Sequence, residues 1–359
     1  MNIVFTTTVY LPHIGGIEIC IHEMAQYLIN NGHKVTVIVA DTGCNQVKEE
    51  VIENERIIRI PAHEIANFFI LKDRRSLKIV DSEIQIADVV HVNVCKFLFD
   101  YLAKKKKQYN YRLICTSHGW IYHTNKNKFI KDLYFKHIVA RYATVYDGII
   151  NVSYQDLKIA ESFGITNSCV IENGVNLKKY SGIAAKEVFE NKFMYWGRIS
   201  SNKGILECLK KLSQYNAEFI LYLIGRCDDE DYLNTLKEYI ETQSMSKKVV
   251  FCGVLSNDEI RDKLIECDIV LMPSLHEGFG MTLVECLVSN RPIIANKIES
   301  YEHILKNVGA SDYIFDYLNP STRISEKINQ LTTNRIVPYN IEQYSVESMI
   351  IKTMQIYGI

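Results

Sequence analysis

The chain has 359 residues, enough for two domains of ordinary size, and its hydrophobic share of 47% and charged share of 23% suit a globular protein. Its 41 Lys and Arg against 42 Asp and Glu leave a net charge of −1, which gives no reason to expect nucleic acid, and no stretch approaches the roughly 20 apolar residues of a membrane span. The ten cysteines form no Cys-x-x-Cys pair and mostly sit in apolar runs, so buried thiols in a reducing cytoplasm are expected rather than disulfides or zinc.

Met1-Asn2-Ile3-Val4-Phe5 has neither the basic segment nor the cleavage site of a signal peptide and reads as the start of a strand over 2–8. Gly15-Gly16 then forms the turn into a helix whose apolar residues Ile17, Cys20, Ile21, Met24 and Leu28 recur at helical spacing, with Gly32 as its stop. The turn lacks the third glycine of a dinucleotide fingerprint, which counts against NAD. Further strands are predicted at 34–40, 56–60, 88–93, 112–117, 148–152 and 169–172.

Between residues 104 and 141 lie ten Lys or Arg (104, 105, 106, 107, 112, 126, 128, 131, 136, 141) and one acid, Asp132, interleaved with Trp120, Tyr122, Phe129, Tyr134 and Phe135. Such a patch suits an anionic membrane surface. The apolar residues of 128–142 nevertheless spread nearly all round a helical wheel, and Lys104–Lys107 also reads as a solvated helix end. Within the same stretch, Thr116-Ser117-His118-Gly119 ends a strand with a polar ring ahead of a glycine.

A second series of strands starts afresh at 193–196, 218–225, 249–253, 268–272, 292–295 and 313–315, with helices at 203–214, 230–242, 256–265 and 280–289. Alternation of this kind argues parallel sheets with crossover helices. We therefore expect one Rossmann-like domain at 1–176 and another at 177–343, followed by a terminal helix at 344–359 after Pro338. Between the two halves stands Ile171-Glu172-Asn173-Gly174-Val175-Asn176, where Asn-Gly is a turn signal.

Gly197-Arg198-Ile199-Ser200-Ser201-Asn202-Lys203-Gly204 follows the first strand of the second half. Arg198 offers a planar fork and Lys203, expected to enter the next helix, a compact point charge, so together they suit the two negative charges of a departing diphosphate. Glu277-Gly278-Phe279-Gly280, with Glu285 beyond it, sits at a strand-to-helix turn, where an open α/β sheet binds its ligand. Glycines there let backbone amides approach an anion, while two acids suit hydroxyls, so the pattern asks for a ligand carrying both phosphate and sugar. Asp228-Asp229-Glu230-Asp231 opens a predicted helix, where acids are favoured without any metal.

Glu277 to Glu285 resembles the E-x7-E motif of the retaining glycosyltransferases of family 4, which have the GT-B fold. Arg198 to Gly204 resembles that family's G-R-x(n)-K-G element, and Ile171 to Asn176 its I-x-N-G-V-D segment, with Asn176 in place of the usual Asp. The resemblance implies an α/β GT-B architecture, with parallel sheets facing an interdomain cleft and the last helix crossing back to the first domain. It also implies roles for single residues. His118 contacts the transferred sugar; Arg198 and Lys203 stabilise the leaving diphosphate; Glu277 holds sugar hydroxyls; Glu285 meets the nucleotide ribose. Donor binding is further assigned to Gly15, Gly16, Asn173, Arg226, Val254, Leu255, Gly278, Phe279, Gly280, Met281, Thr282 and Leu283. Transfer proceeds on one face within an ion pair, and neither a metal nor another cofactor is expected.

Thr116-Ser117-His118-Gly119-Trp120-Ile121-Tyr122-His123-Thr124 is similar to the mannosyltransferases that extend lipid-linked saccharides of bacterial exopolysaccharides. The expected donor is GDP-mannose and the expected acceptor a polyprenyl-diphosphate-linked saccharide, at the cytoplasmic face of the membrane. UDP-glucose or UDP-N-acetylglucosamine as donor, a UDP-sugar 2-epimerase of the same fold, and an inactive partner subunit stand as alternatives.

Overall fold

The computed structural model describes residues 1–13, 15–65, 68–120, 128–227, 229–333 and 339–359. Ile121, Tyr122, His123, Thr124, Lys126, Asp228 and Pro338 lie outside the described residues. The chain forms two compact units, Met1–Gly174 with Val346–Ile359, and Val175–Ser345.

Unit 1 begins with β1 (Asn2–Thr7), α1 (Gly16–Asn30), β2 (Lys34–Asp41), β3 (Lys48–Ile52), β4 (Glu55–Ile65) and β5 (Phe68–Leu71). It continues through α2 (Arg74–Gln85), β6 (Val89–Val92), α3 (Phe99–Lys105), β7 (Arg112–Thr116), α4 (Lys128–Tyr134), α5 (Ala140–Ala143), β8 (Gly148–Asn151), α6 (Tyr154–Ser162) and β9 (Ser168–Val170). The strands lie in the order β3-β4-β2-β1-β6-β7-β8-β9, parallel from β4 to β9. β6 is buried at every residue, as a strand covered on both faces must be, and it reads as an apolar run broken only by His91.

Two strands escaped the sequence pattern. β3 and β5 are antiparallel additions on β4, and β3 is a Lys-Glu-Glu edge whose exposure removes the apolar signal. The basic segment is also less regular than a helix over 128–142, because a π-helical turn over Phe135–Val139 separates α4 from α5.

Unit 2 runs β10 (Lys192–Trp196), α7 (Ile205–Leu212), β11 (Ile220–Ile224), α8 (Glu230–Thr242), β12 (Val249–Gly253) and α9 (Asn257–Glu266). β13 (Ile269–Met272), α10 (Met281–Val288), β14 (Ile293–Asn296), α11 (Glu299–Asn307), β15 (Ile314–Phe315) and α12 (Ile324–Thr333) complete it. Its sheet is parallel in the order β12-β11-β10-β13-β14-β15. The order reverses between β10 and β13, and in unit 1 between β1 and β6. Crossover helices leave to opposite faces at such a point and open a crevice beyond the strand ends, where ligands bind in sheets of this kind.

The last helix, α13 (Val346–Tyr357), belongs to unit 1. It buries Met349, Ile350, Thr353 and Tyr357, and its Tyr357 hydroxyl lies 2.6 Å from His91 Nδ1. His91 Nε2 meets Thr116 Oγ1 at 2.7 Å. Burial pushes His91 down to about 3, so this ring is a neutral hydrogen-bonding tie between helix and sheet.

Candidate active site

In unit 2 the switch point carries two loops. After β10 come Gly197 and Arg198, whose side chain is exposed and whose carbonyl accepts from the Tyr195 hydroxyl at 2.7 Å. A 3-10 turn over Ser201–Lys203 follows, and Gly204, at φ +63, separates it from α7. The expectation that Lys203 enters the helix is thus corrected. Gly204 takes the left-handed conformation, and a Cβ there would lie 2.1 Å from the Pro273 carbonyl oxygen, so only glycine lets the two loops approach this closely. Leu275 N donates to the Asn202 carbonyl at 2.9 Å and fastens them together.

The second loop follows β13 and brings Glu277 to Lys203. Lys203 Nζ donates to Glu277 Oε1 at 2.6 Å, and Ser274 Oγ (2.8 Å) and the Tyr301 hydroxyl (3.2 Å) donate to the same oxygen. Both charged side chains are mostly shielded from water, which strengthens the pair. Tyr195 reports the same charges: burial first, then Glu277, hold its hydroxyl well above its usual range, while Arg198 opposes them.

Gly280, at φ +106, caps α10, and a Cβ on it would strike the Tyr301 ring at 2.7 Å. Met281, Thr282 and Leu283 form the first turn of that helix; Leu283 N turns back to the Gly280 carbonyl at 2.9 Å, and the Met281 and Thr282 amides that precede it are of the kind that suit an anion at a helix start. Gly278 and Phe279 lead into it, with Phe279 buried against Tyr344. Glu285 lies one turn further on and is only 14% exposed, with Lys179 Nζ at 3.9 Å. Burial lifts its carboxyl to about 7, against the pull of Lys179.

Glu285 does not join the Lys203–Glu277 pair. Arg226 and Val254 are exposed, and Leu255 is half-buried, in the loops beyond β11 and β12. Asp229 caps α8 by accepting from Tyr232 N at 3.0 Å, the ordinary work of an acid at a helix start. Among the described residues, no three His, Cys, Asp or Glu side chains gather as a metal site.

In unit 1 Gly15 is the extended N-cap of α1, and Gly16 opens the helix. The Glu18 carboxylate folds back to where a Cβ on Gly15 would be, and His13 lies 3.7 Å from it. Burial raises the Glu18 carboxyl. Asn93 follows β6 and His118 follows β7, with His118 Nε2 3.4 Å from Asn93 Oδ1. His118 and Asn173 line one small pocket together with Asn93, Thr116, Met349 and Thr353.

This geometry coincides with known families. Residues 14–179 match the profile described as Glycosyltransferase Family 4, and residues 178–347 match the profile described as Glycosyl transferases group 1. The chain belongs to the family 4 glycosyltransferases. The enzyme is 26% identical over 314 residues to a GDP-mannose:cellobiosyl-diphosphopolyprenol alpha-mannosyltransferase of Xanthomonas oryzae, covering 86% of this chain and 82% of that one. It is 26% identical over 229 residues to the O-antigen chain mannosyltransferase RfbU of Salmonella typhimurium, covering 59% and 62% of the two chains. Among solved structures, the sucrose-phosphate synthase of Thermosynechococcus elongatus superposes with a TM-score of 0.76 at 16% identity, covering 99% of this chain and 98% of that one. HepE of Anabaena, in complex with UDP and glucose, gives 0.75 at 16% identity over 98% of each chain. The fold of this glycosyltransferase is therefore GT-B, two Rossmann-like units.

Sequence reasoning missed several residues that surround the predicted ones in each unit. Ser274 and Tyr301 hold Glu277, Lys179 faces Glu285, and Glu18 covers the glycine turn. Ser274 and Glu18 sit inside or beside motifs that were read, so position alone pointed to them. Tyr301 lies in the first turn of a later helix, α11, and carries no local signal.

Proposed function

We propose that this glycosyltransferase moves mannose from GDP-mannose to a polyprenyl-diphosphate-linked saccharide with retention of configuration. The observation that carries the reading is the convergence of Lys203, Ser274 and Tyr301 on one oxygen of Glu277 at the switch point of unit 2. Among the described residues Oε2 of Glu277 takes no hydrogen bond, and we assign it to a sugar hydroxyl. Lys203 and Arg198 then face the diphosphate together with the leading amides of α10, absorbing charge as the sugar bond breaks. We assign Glu285 to the ribose and His118 to the transferred sugar. The choice of mannose follows the relatives of Xanthomonas and Salmonella, both named mannosyltransferases.

Titration calorimetry with GDP-mannose, GDP-glucose, UDP-glucose and UDP-N-acetylglucosamine tests the donor. GDP-mannose is expected to bind at least about tenfold more tightly than the others, a difference near 1.4 kcal/mol. Preference for a UDP-sugar overturns the donor assignment. Release of a free epimerised sugar without an acceptor overturns transfer itself. The proposal needs no metal, since the cationic side chains meet the diphosphate, so EDTA is expected to leave turnover unchanged.

A lipid-linked acceptor implies contact with a membrane, and we place that contact on α4 and the β4–β5 hairpin. Lys104, Lys105 and Lys106 are paired with Asp100 (2.7 Å), Asp81 (2.8 Å) and Asp147, so much of that basic run is met inside the protein. By contrast, Phe129 is 79% and Leu133 50% exposed one helical turn apart, and Ile65 and Ile70 are exposed on the hairpin. Phe68 and Tyr134, 4.3 Å between ring centroids, join hairpin to helix, and Lys136 stands exposed beside them. Sedimentation with phosphatidylglycerol vesicles is expected to fall steeply for Phe129→Ser with Leu133→Ser, and little for Lys104→Gln with Lys105→Gln. The reverse order would return the contact to the lysine run.

A further inference from the structure

His118 sits in an unusual stretch of backbone. His118, Gly119 and Trp120 have φ of +42, +83 and +50, three consecutive residues in the left-handed region, two of them not glycine. Side-chain-bearing residues avoid this conformation unless their surroundings hold them in it. What holds this turn is largely one residue of the neighbouring helix. Asp156, in the first turn of α6 and only 3% exposed, accepts through Oδ2 from Gly119 N at 2.8 Å and from the Ser117 hydroxyl. Its backbone carbonyl accepts from the Trp120 indole at 3.2 Å. Ser117 Oγ in turn accepts from Val152 N at 3.3 Å, which leaves its proton directed at Asp156.

The carboxylate is suited to this place. Ser153 caps α6 and receives Asp156 N at 3.2 Å, so Asp156 lies where the helix start favours negative charge. Trp120 is buried and packs edge-to-face with Phe135 of the π-helical turn. His118 is therefore fixed between Asp156, acting on both flanking residues, and Asn93, which meets its ring.

We propose that Asp156 is a positioning residue for transfer: its carboxylate sets the left-handed turn that presents the His118 imidazole. The inference rests on the role proposed for His118. Asp156 touches no substrate; it acts through the Ser117–Trp120 backbone. Asparagine retains an oxygen able to accept both hydrogen bonds, whereas alanine retains none.

The test uses the full chain and nucleoside diphosphate release from GDP-mannose, or from the first of UDP-glucose and UDP-N-acetylglucosamine to show turnover. Asp156→Ala is expected to lower kcat about 100-fold with the donor KM within about threefold, as displacement of a reacting group by an ångström does. Asp156→Asn is expected to recover most of that loss, and Ser117→Ala, which removes one of the bonds, to fall between. Hydrogen exchange supplies a readout independent of turnover: the Gly119 amide should exchange at least about tenfold faster in Asp156→Ala and near the wild-type rate in Asp156→Asn. In a His118→Ala background, Asp156→Ala should lower kcat by less than about threefold further, because residues acting as one unit are not additive. An undiminished 100-fold loss in that background, or no rescue by asparagine, overturns the positioning role. Wild-type turnover of His118→Ala alone overturns the His118 reading instead. Should Asp156→Ala fail to fold, Ser117→Ala and Asp156→Asn carry the same comparison.

Discussion

Glu277 gathers three donors on one oxygen, so its loss strands a lysine, a serine and a tyrosine together. Glu277→Gln and Lys203→Ala are each expected to lower transfer about 100- to 1000-fold, the cost of removing one preorganised charge contact. Melting temperatures should shift by only a few degrees. Near-normal turnover with unchanged melting in both variants would take this pair out of the reaction. Glu285 predicts a pH effect of definite sign. Its carboxyl titrates at 4.5 when unfolded and at about 7 when folded. The stability is fully present below pH 4.5 and is lost as pH rises through 7, by about 3 kcal/mol at most. Urea unfolding across that window should show a shallower decline for Glu285→Gln than for the parent, and parallel curves would exclude the burial effect. Glu277 was legible because a carboxylate beside glycines after a strand interrupts an otherwise apolar pattern, and Glu285 because it is the one charged residue in the apolar run of α10. Tyr301 and Asp156 were not, since each is an unremarkable residue type whose partners lie far along the chain.

The loop after β10 depends on one glycine more than on its charged residues. Gly204→Ala brings a Cβ within 2.1 Å of the Pro273 carbonyl while keeping φ at +63. It is expected to destabilise unit 2 by about 2 kcal/mol or more and to weaken donor binding, because Lys203 precedes the displaced residue. Thermal melting and calorimetry measure the two effects separately, and an unchanged melting curve would show that the loops can part without cost. Helices such as α8 and α9 were readable almost to their ends, since acids and a Ser256–Glu259 capping box mark the starts. The start of α7 was misplaced because Lys203-Gly204 continues the helical spacing, and only contact with Pro273 forces the glycine into a left-handed turn. Strand β3 was invisible for a different reason. Its pairing with β4 comes from backbone hydrogen bonds at an exposed edge, where side chains carry no hydrophobic period.

The pair of α/β units was foreseeable because the strand and helix pattern starts twice. The strand orders were not, since sequence period says nothing about which strands become neighbours; the reversal between β10 and β13, which brings Lys203 to Glu277, appears only in the folded sheet. Unit 2 is one continuous stretch, Val175–Ser345, and holds most of the proposed donor groups, among them Arg198, Lys203, Glu277 and Glu285. Produced alone, it is expected to fold and to bind GDP-mannose within about tenfold of the whole chain, by calorimetry. Loss of all binding by a folded unit 2 would mean that unit 1 supplies most of the donor affinity. Unit 1, by contrast, is interrupted by unit 2 and completed by Val346–Ile359 beyond it. Translation therefore finishes the second module first, and the earlier one waits on the ribosome with His91 and Met24 facing a vacant berth. Only when Tyr357 emerges does that sheet gain the cover of α13, so a stop codon placed ahead of that helix damages the module that was made first.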